Sequence, residues 1–464
     1  MSTTHILKVR DDHEPIYFEP IEDQKYKLIG ETPPSIWMSD GTLKLNDLRG
    51  RIEPWLTSLF QSEHLSVLIG NGLSTAIQII AEGGSRFSGR SQNYEIYNAM
   101  GIPDISGFPY SDKIRKAVDR SVSMNERGEA NIEDFIRIIN DLLRGLEIIE
   151  DEDAGNLRHF FEKLLSNFAN SILKIENKIA GADEKNKEIA LQNLVTFLMS
   201  FASRTGTRDR LHIFTTNYDR VIEAGAELAG LHLLDRFVGN LSPIFRSSRL
   251  DVDMHYNPPG IRGEPRYLEG VAKFTKLHGS IDWVMSGKYV RRIGLPFGTE
   301  YIKPYLEVPG LDADGTNIMI YPNSSKDRET TEYPYVELFR DFAAALCRPN
   351  STLVTYGYSF GDDHINRVVR DMLTIPSTHL VVISYDDISR RIMKFYKEIG
   401  RPSQISLIIG RDLADLEMLT RYFLPKPSID FVTFRMNEIL KQRYDVPNPP
   451  ESQESKNDGG VVEI

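Results

Sequence analysis

Five short stretches of the chain set polar or glycine-rich residues directly after an apolar run. They are Gly70-Asn71-Gly72-Leu73-Ser74, Thr215-Thr216-Asn217-Tyr218-Asp219, Leu277-His278-Gly279, Gly357-Tyr358-Ser359-Phe360 and Ser384-Tyr385. Glycines let a backbone turn sharply and approach a phosphate closely, and a helix opening there adds free N–H donors and a partial positive charge. The third glycine of a full G-x-G-x-x-G is missing, with Thr75 in its place, so a plain strand-to-helix turn fits the first motif equally well. Asn217 carries a donor and an acceptor on one amide. It can hold a ribose hydroxyl or position a water, or serve as an ordinary turn residue. Asp219 reads first as a helix N-cap. An imidazole titrates near neutrality, so His278 can take a proton from a water or a hydroxyl; a solvated turn histidine is the plainer alternative. A side chain at Gly279 would crowd a ribose. Gly357 and Ser359 suit contact with ribose or phosphate, Asp362 or Asp363 can cap the next helix, and Ser384-Tyr385 offer a place for an adenosine.

A parallel sheet must position these stretches. Strands are expected at 65–70, 212–214, 271–277, 317–321, 352–356, 379–384 and 405–409. Helices are expected up to residue 82, then at 219–228, 334–347, 363–373 and 387–399. This alternation predicts an α/β fold, a doubly wound (Rossmann-like) parallel sheet. Apolar residues at helical spacing, such as Phe135, Ile138, Ile139, Leu142 and Leu143, predict four helices that form an inserted module over about 110–205. Residues 1–60 read as an N-terminal extension and 61–445 as the main body, closed by helices at 411–423 and 429–442. Residues 446–464 read as a disordered tail. In such a sheet, ligands bind beyond the carboxyl ends of the strands. All five stretches lie along that rim, and a dinucleotide would span them.

Bulk composition narrows the options. The 464 residues carry a formal charge of −11, with 66 acidic against 55 basic residues, so a broad nucleic-acid-binding face is not expected. Hydrophobic content of 41% and charged content of 26% are ordinary globular values. The single cysteine, Cys347, excludes an internal disulfide and a cysteine-rich zinc module. No leader and no membrane-spanning run is evident, so a cytoplasmic protein without membrane contact is expected.

In their order along the chain, GNGLS, TTNYD, KLHG and GYSF resemble the sirtuin fold family. They look most like the sirtuin-like NAD hydrolases of bacterial anti-phage defence. Sirtuins carry a Gly-Ala-Gly-Ile-Ser loop, a Thr-Gln-Asn-Ile-Asp turn, a His-Gly pair and a Gly-Thr-Ser strand end. The resemblance covers about 63–410, interrupted by the insert. It implies that Gly70, Gly72 and Ser74 line the phosphates of NAD+, that Asn217 contacts the nicotinamide ribose, and that His278 is the catalytic histidine. Asp219, Gly357 and Ser359 would support NAD+ binding. Asn71, Thr216, Ser384 and Tyr385 complete the expected set of NAD+ contacts. Protein-deacylating sirtuins have a four-cysteine zinc module that one cysteine cannot make, and Asn71 and Tyr218 replace the usual residues. The resemblance therefore favours cleavage of NAD+ to ADP-ribose and nicotinamide, without an acyl-lysine acceptor or a metal. The segment from Tyr321-Pro322-Asn323 to Pro334 is also similar to the defence-type branch. That branch implies abortive infection through NAD+ depletion, by a homo-oligomer under a regulatory partner in trans. A HerA-like ATPase is the first choice and a short argonaute the second, since fewer than about 60 residues follow the last strand, too few for a usual sensor domain. Other classes remain open: an NAD or ADP-ribose sensor or scaffold without turnover, an NAD-dependent protein deacylase or ADP-ribosyl transferase, and, with less support, a nuclease.

Overall fold

The apolar runs that precede the polar stretches become the parallel strands of one sheet. The structure is a computed structural model. It describes residues 4–426 apart from 10–11, 23, 31–41, 85–104, 106–107, 109, 125–131, 205–207, 252, 257–265, 312, 314, 321–332 and 388. The segment at 321–332, the closing helix expected at 429–442 and the tail at 446–464 lie outside the described residues. Contacts group residues 1–425 into one unit.

The central sheet has eleven strands. In chain order they are β1 His5–Lys8, β2 Ile16–Glu22, β3 Lys25–Leu28, β4 Thr42–Lys44, β5 His64–Ile69, β6 His212–Thr215, β7 His232–Leu234, β8 Val271–Lys276, β9 Ser351–Tyr356, β10 His379–Ser384 and β11 Ile405–Ile409. Their spatial order is β4-β3-β2-β1-β11-β10-β9-β5-β6-β8-β7. The run from β11 to β7 is parallel throughout. Strands β1–β4 continue it antiparallel, so the first residues extend the sheet past β11. From β5 the chain builds to one side: β6 pairs with β5, β7 takes the edge, and β8 fills the place between them. The chain then crosses to the other side for β9, β10 and β11. That reversal about β5 is the topological switch point, where a doubly wound sheet opens a crevice at its carboxyl edge.

Helices cover both faces. α1 (Leu45–Phe60), α2 (Asn71–Ala81), α6 (Glu184–Ala202) and α7 (Val221–Ala229) share one core with Val67, Ile69, Ile213 and Val354. α8 (Tyr335–Leu346), α9 (Asp363–Met372) and α10 (Arg391–Ile399) share the other with Leu68, Phe214, Leu353 and Val382. Strand residues therefore alternate between two buried layers. This is why β5 and β9 read as continuous apolar runs rather than alternating ones. Each fully buried Leu, Ile or Val there contributes about 1.5–3 kcal/mol.

Between α2 and β6 the chain forms α3 (Ser111–Met124), α4 (Ile132–Ile148), α5 (Ala154–Ala180) and α6. Helices α3–α5 form a third core with Tyr218, Ile281, Val284, Ile293, Leu295, Ile318 and Ile320. The first two of these residues lie beside the polar strand ends, so the helices between β5 and β6 bear directly on the rim.

Three expectations need correction. Residues 317–320 do not form a strand. Gly315–Asn317 is a single 3-10 turn, and Ile318 makes only an isolated bridge to Val284. Ile318, Met319 and Ile320 are apolar because they plug the third core and the adjoining one, and a short apolar run does not distinguish a core plug from a strand. The helix expected at 411–423 is broken. Asp415 leaves helical geometry at φ −54, ψ 134 and caps a new turn by accepting from Met418 N. The helix expected from residue 387 begins at Arg391 instead, because the Asp387 carboxylate accepts the N–H groups of Ile392 and Met393.

Candidate active site

Strand register sets the rim. Tyr356 pairs with both Ile383 and Ile69, Ile69 with Thr215, and Thr215 with Lys276. Asn217 and His278 each follow, by two residues, the last paired residues Thr215 and Lys276 of two adjacent parallel strands.

Asn217 is held at the centre. It is 6% exposed, and its backbone N–H donates to Thr215 Oγ1 at 3.0 Å. Its Nδ2 donates to Gly70 O at 3.1 Å and to Ser74 Oγ at 3.1 Å. A backbone carbonyl can only accept, so the contact with Gly70 O fixes which end of the amide is nitrogen. Both amide hydrogens are committed, and Oδ1 is the side-chain group that remains for a ligand. Ser74, fully buried, donates a hydrogen bond from its hydroxyl to Asp219 Oδ2 at 2.8 Å. Asp219 Oδ1 accepts from Val221 N at 3.1 Å, but the N-cap of α7 is Arg220, without a side-chain capping bond, so the expected N-cap is corrected to a short turn bond just ahead of the helix. The chain Asn217–Ser74–Asp219 ties the loop after β5 to the loop after β6.

The glycines serve a purpose the sequence did not reveal. A Cβ on Gly72 would lie 2.6 Å from Gly357 Cα, and one on Gly70 would strike the Gly357 carbonyl. Gly72 N donates to Gly357 O at 3.2 Å. Two backbones touch here, so the glycines let the loops after β5 and β9 pack together, and the Gly72 N–H is spent within the protein. Gly279 adopts φ +91, and a Cβ there would strike Met319 O, with Met319 C at 3.1 Å. The expected ribose crowding is replaced by a backbone contact: Ser280 N donates to that same carbonyl at 3.0 Å.

His278 is half-buried. Its ring lies 6.4 Å from the Tyr218 ring, and its Nε2 is 3.1 Å from His364 Nε2. Tyr218 is in turn edge-on to Phe168 of α5 at 5.8 Å. Glu176, on the same helix, is wholly buried and holds Arg220: its Oε1 accepts from Arg220 N at 2.8 Å and its Oε2 from Nη2 at 2.5 Å. Burial pushes the Glu176 carboxyl above its ordinary range, opposed by the Arg220 guanidinium. Beneath the same loop, buried Lys276 donates to Asp219 O and to Glu223 Oε1, the latter at 3.0 Å.

The remaining expected residues lie further out. Thr216 N donates to Ile69 O at 3.3 Å. Asn71 and Ser359 are exposed at the rim. Ser384 Oγ closes its own turn by donating to Asp386 O at 2.8 Å, and Tyr385 is 46% exposed. The structure thus brings Gly70, Gly72, Ser74, Asn217, Asp219 and Gly357 into one bonded knot. It leaves Ser384 and Tyr385 two strands from β5. Asp362 occupies the N-cap of α9 without a side-chain capping bond. Sequence reasoning missed His364, Glu176, Arg220 and Lys276. His364 stood one residue past the expected caps, but on a helix face it reads as core.

Among the described residues no group of three or more His, Cys, Asp or Glu side chains is placed to hold a metal ion, and no helix is long and apolar enough to cross a membrane.

A doubly wound sheet with these loops at its switch point defines a Rossmann-like α/β protein. Residues 211–400 match the family model described as a SIR2-like domain. SIR2-like domains are in general NAD-dependent enzymes, so the match fits an NAD-related activity. It takes in Asn217, His278 and Gly357 but stops short of the loop at 70–74, which the fold joins to them. No curated protein matches the chain.

Proposed function

We propose that the protein is an NAD+ hydrolase that releases nicotinamide and ADP-ribose. The observation that carries this is the fixed amide of Asn217, with Oδ1 left over, in the loop after β6, beside the strand β8 that His278 follows. Nicotinamide leaves as a neutral base and needs no proton. The transition state has oxocarbenium character, as in glycoside cleavage. The site must hold the ribose and place one water. Asn217 Oδ1 accepts from a ribose hydroxyl or from that water. His278 takes the proton released as the water oxygen bonds to C1′, while the electron pair of the N-glycosidic bond leaves with nicotinamide. The α2 N-terminus and the loop at Gly357 and Ser359 supply the surroundings for the phosphates and the second ribose.

By analogy with the defence-type hydrolases, the reading extends to NAD+ depletion in the cytoplasm of an infected bacterium. An enzyme that destroys NAD+ must be restrained, so the reading includes self-association and a partner in trans, a HerA-like ATPase before a short argonaute.

The test incubates the purified full chain with NAD+, alone and with its candidate partners, and follows nicotinamide and ADP-ribose by chromatography. Wild type is expected to release both in equal amounts. Asn217→Ala and His278→Ala should each lose on the order of 100-fold or more in rate with an unchanged circular dichroism spectrum. NAD+ left intact under every condition refutes the hydrolase. Equal rates in wild type and both variants refute the site.

A further inference from the structure

Beside the rim stands a side chain outside the expected set of site residues. His364 is the second residue of α9, the helix that follows Gly357-Tyr358-Ser359-Phe360. It is 9% exposed, with its ring edge-on to Phe339 at 5.0 Å. Its Nε2 lies 3.1 Å from His278 Nε2, and the ring centroids are 5.3 Å apart. Two imidazole nitrogens at that distance share one proton: one ring donates its N–H and the other presents a lone pair. His364 is the buried partner and sits in the first turn of a helix, where the partial positive charge opposes a second cation. A neutral His364 is met by either direction of this bond, and the one taken forward puts the proton on His278 Nε2 and the lone pair on His364 Nε2. With Nε2–H committed, Nδ1 is the nitrogen of His278 left to act as a base.

We propose that His364 is a positioning residue for His278: it fixes the Nε2–H tautomer and accepts a charge-assisted hydrogen bond once Nδ1 has taken a proton. The proposal rests on the hydrolase reading above. In the step itself, an O–H bond of the attacking water breaks and its proton goes to His278 Nδ1. The oxygen's electron pair forms the bond to C1′, and the nicotinamide nitrogen leaves with the pair of the broken bond. His364 neither gains nor loses a proton. It stabilises the imidazolium through a bond of the stronger, ionised type. The arrangement follows the logic by which a carboxylate orients the histidine of a Ser-His-Asp triad, with a neutral imidazole as the acceptor. Asp362 and Asp363 precede His364 on its own helix, and the Tyr218 ring faces His278 from the loop after β6.

Two substitutions in the full chain separate positioning from packing. His364→Phe keeps a ring against Phe339 and removes the acceptor, while His364→Gln keeps an acceptor. His364→Phe is expected to lower kcat for NAD+ cleavage by about 10- to 100-fold, part of the 10²–10⁴ that base catalysis supplies, with KM changed by less than about 3-fold. His364→Gln should recover most of the loss. Equal losses in both, or a loss carried by KM, would reduce His364 to a packing residue. A second readout needs no turnover: ¹⁵N NMR of histidine-labelled protein, with the His278 signals assigned through His278→Ala. Wild type should show a pyridine-like Nδ1 and a pyrrole-like Nε2, and His364→Phe a mixture of tautomers. A pyrrole-like Nδ1 in wild type overturns the proposal even if NAD+ is cleaved. The expected pattern in a protein that leaves NAD+ intact refutes the hydrolase and upholds the histidine pair. A stoichiometric transition metal that is lost in His364→Phe would make the two nitrogens its ligands and also overturn the proposal.

Discussion

Gly279→Ala separates two reasons for a glycine behind His278. If the position is open for a ribose, an alanine there leaves the fold intact and hinders only substrate. If it is closed by Met319, the cost falls on the fold. Gly279 sits at φ +91, a conformation that costs an L-residue about 1–2 kcal/mol. The added Cβ also meets Met319 O, and that carbonyl cannot retreat without losing its bond from Ser280 N at 3.0 Å. Overpacking of this kind costs about 1–3 kcal/mol, so the total is about 2–5 kcal/mol. Gly287 provides the internal control. It has φ +58 and nothing within 4 Å of a modest Cβ, so Gly287→Ala carries the backbone cost alone. Guanidinium unfolding followed by circular dichroism should rank wild type above Gly287→Ala and Gly287→Ala above Gly279→Ala. A Gly279→Ala midpoint that matches Gly287→Ala, combined with lost NAD+ turnover, would refute the backbone argument and restore the ribose.

Two further outcomes follow from buried polar groups. Ser74→Ala removes the hydroxyl that joins Asn217 to Asp219; it should cost about 1–3 kcal/mol through the partners left unmatched and lower NAD+ turnover mainly in kcat, read by steady-state kinetics. His379 is pushed down to about 4 by burial, with the Lys8 charge adding to it, and its Nε2 lies 2.8 Å from Ser406 Oγ. Its folded pKa lies below the unfolded value near 6.5, so its stability is complete above that value and is lost as pH falls toward 4, by about 3 kcal/mol. His379→Gln should flatten the pH dependence of the unfolding midpoint across that window; an unchanged slope would remove His379 as its source.

The sheet was legible in the sequence because β5, β6, β9, β10 and β11 are buried on both faces, and a strand covered twice announces itself by its own residues. The rim was legible for the same reason: where the apolar run stops, the chain has reached the crevice. The reason for each rim residue was harder to read. Gly70, Gly72 and Gly279 are glycines because of Gly357 and Met319, contacts that join residues far apart in the chain and leave no local trace. The run at Asn317–Ile320 failed for a related reason, since apolar content reports burial without reporting geometry. Glu176 and Arg220 each look like surface charges on a helix until the fold buries them together. His364 looks like core until β8 is seen to end beside it.

The knot at Asn217 also has a consequence for how the chain reaches its native state. Its bonds to Gly70 and Ser74 span separations of 147 and 143 residues, and the Gly72–Gly357 contact spans nearly twice as many. Closing a loop of the first length costs roughly 4 kcal/mol of chain entropy before any contact repays it. Such distant pairings form slowly. A nascent chain that has made α6 holds the loop after β5 with neither of its neighbours, and one that stops short of β9 lacks the backbone against which Gly70 and Gly72 pack. The site therefore has no partial version: it comes into being when the last of its loops arrives.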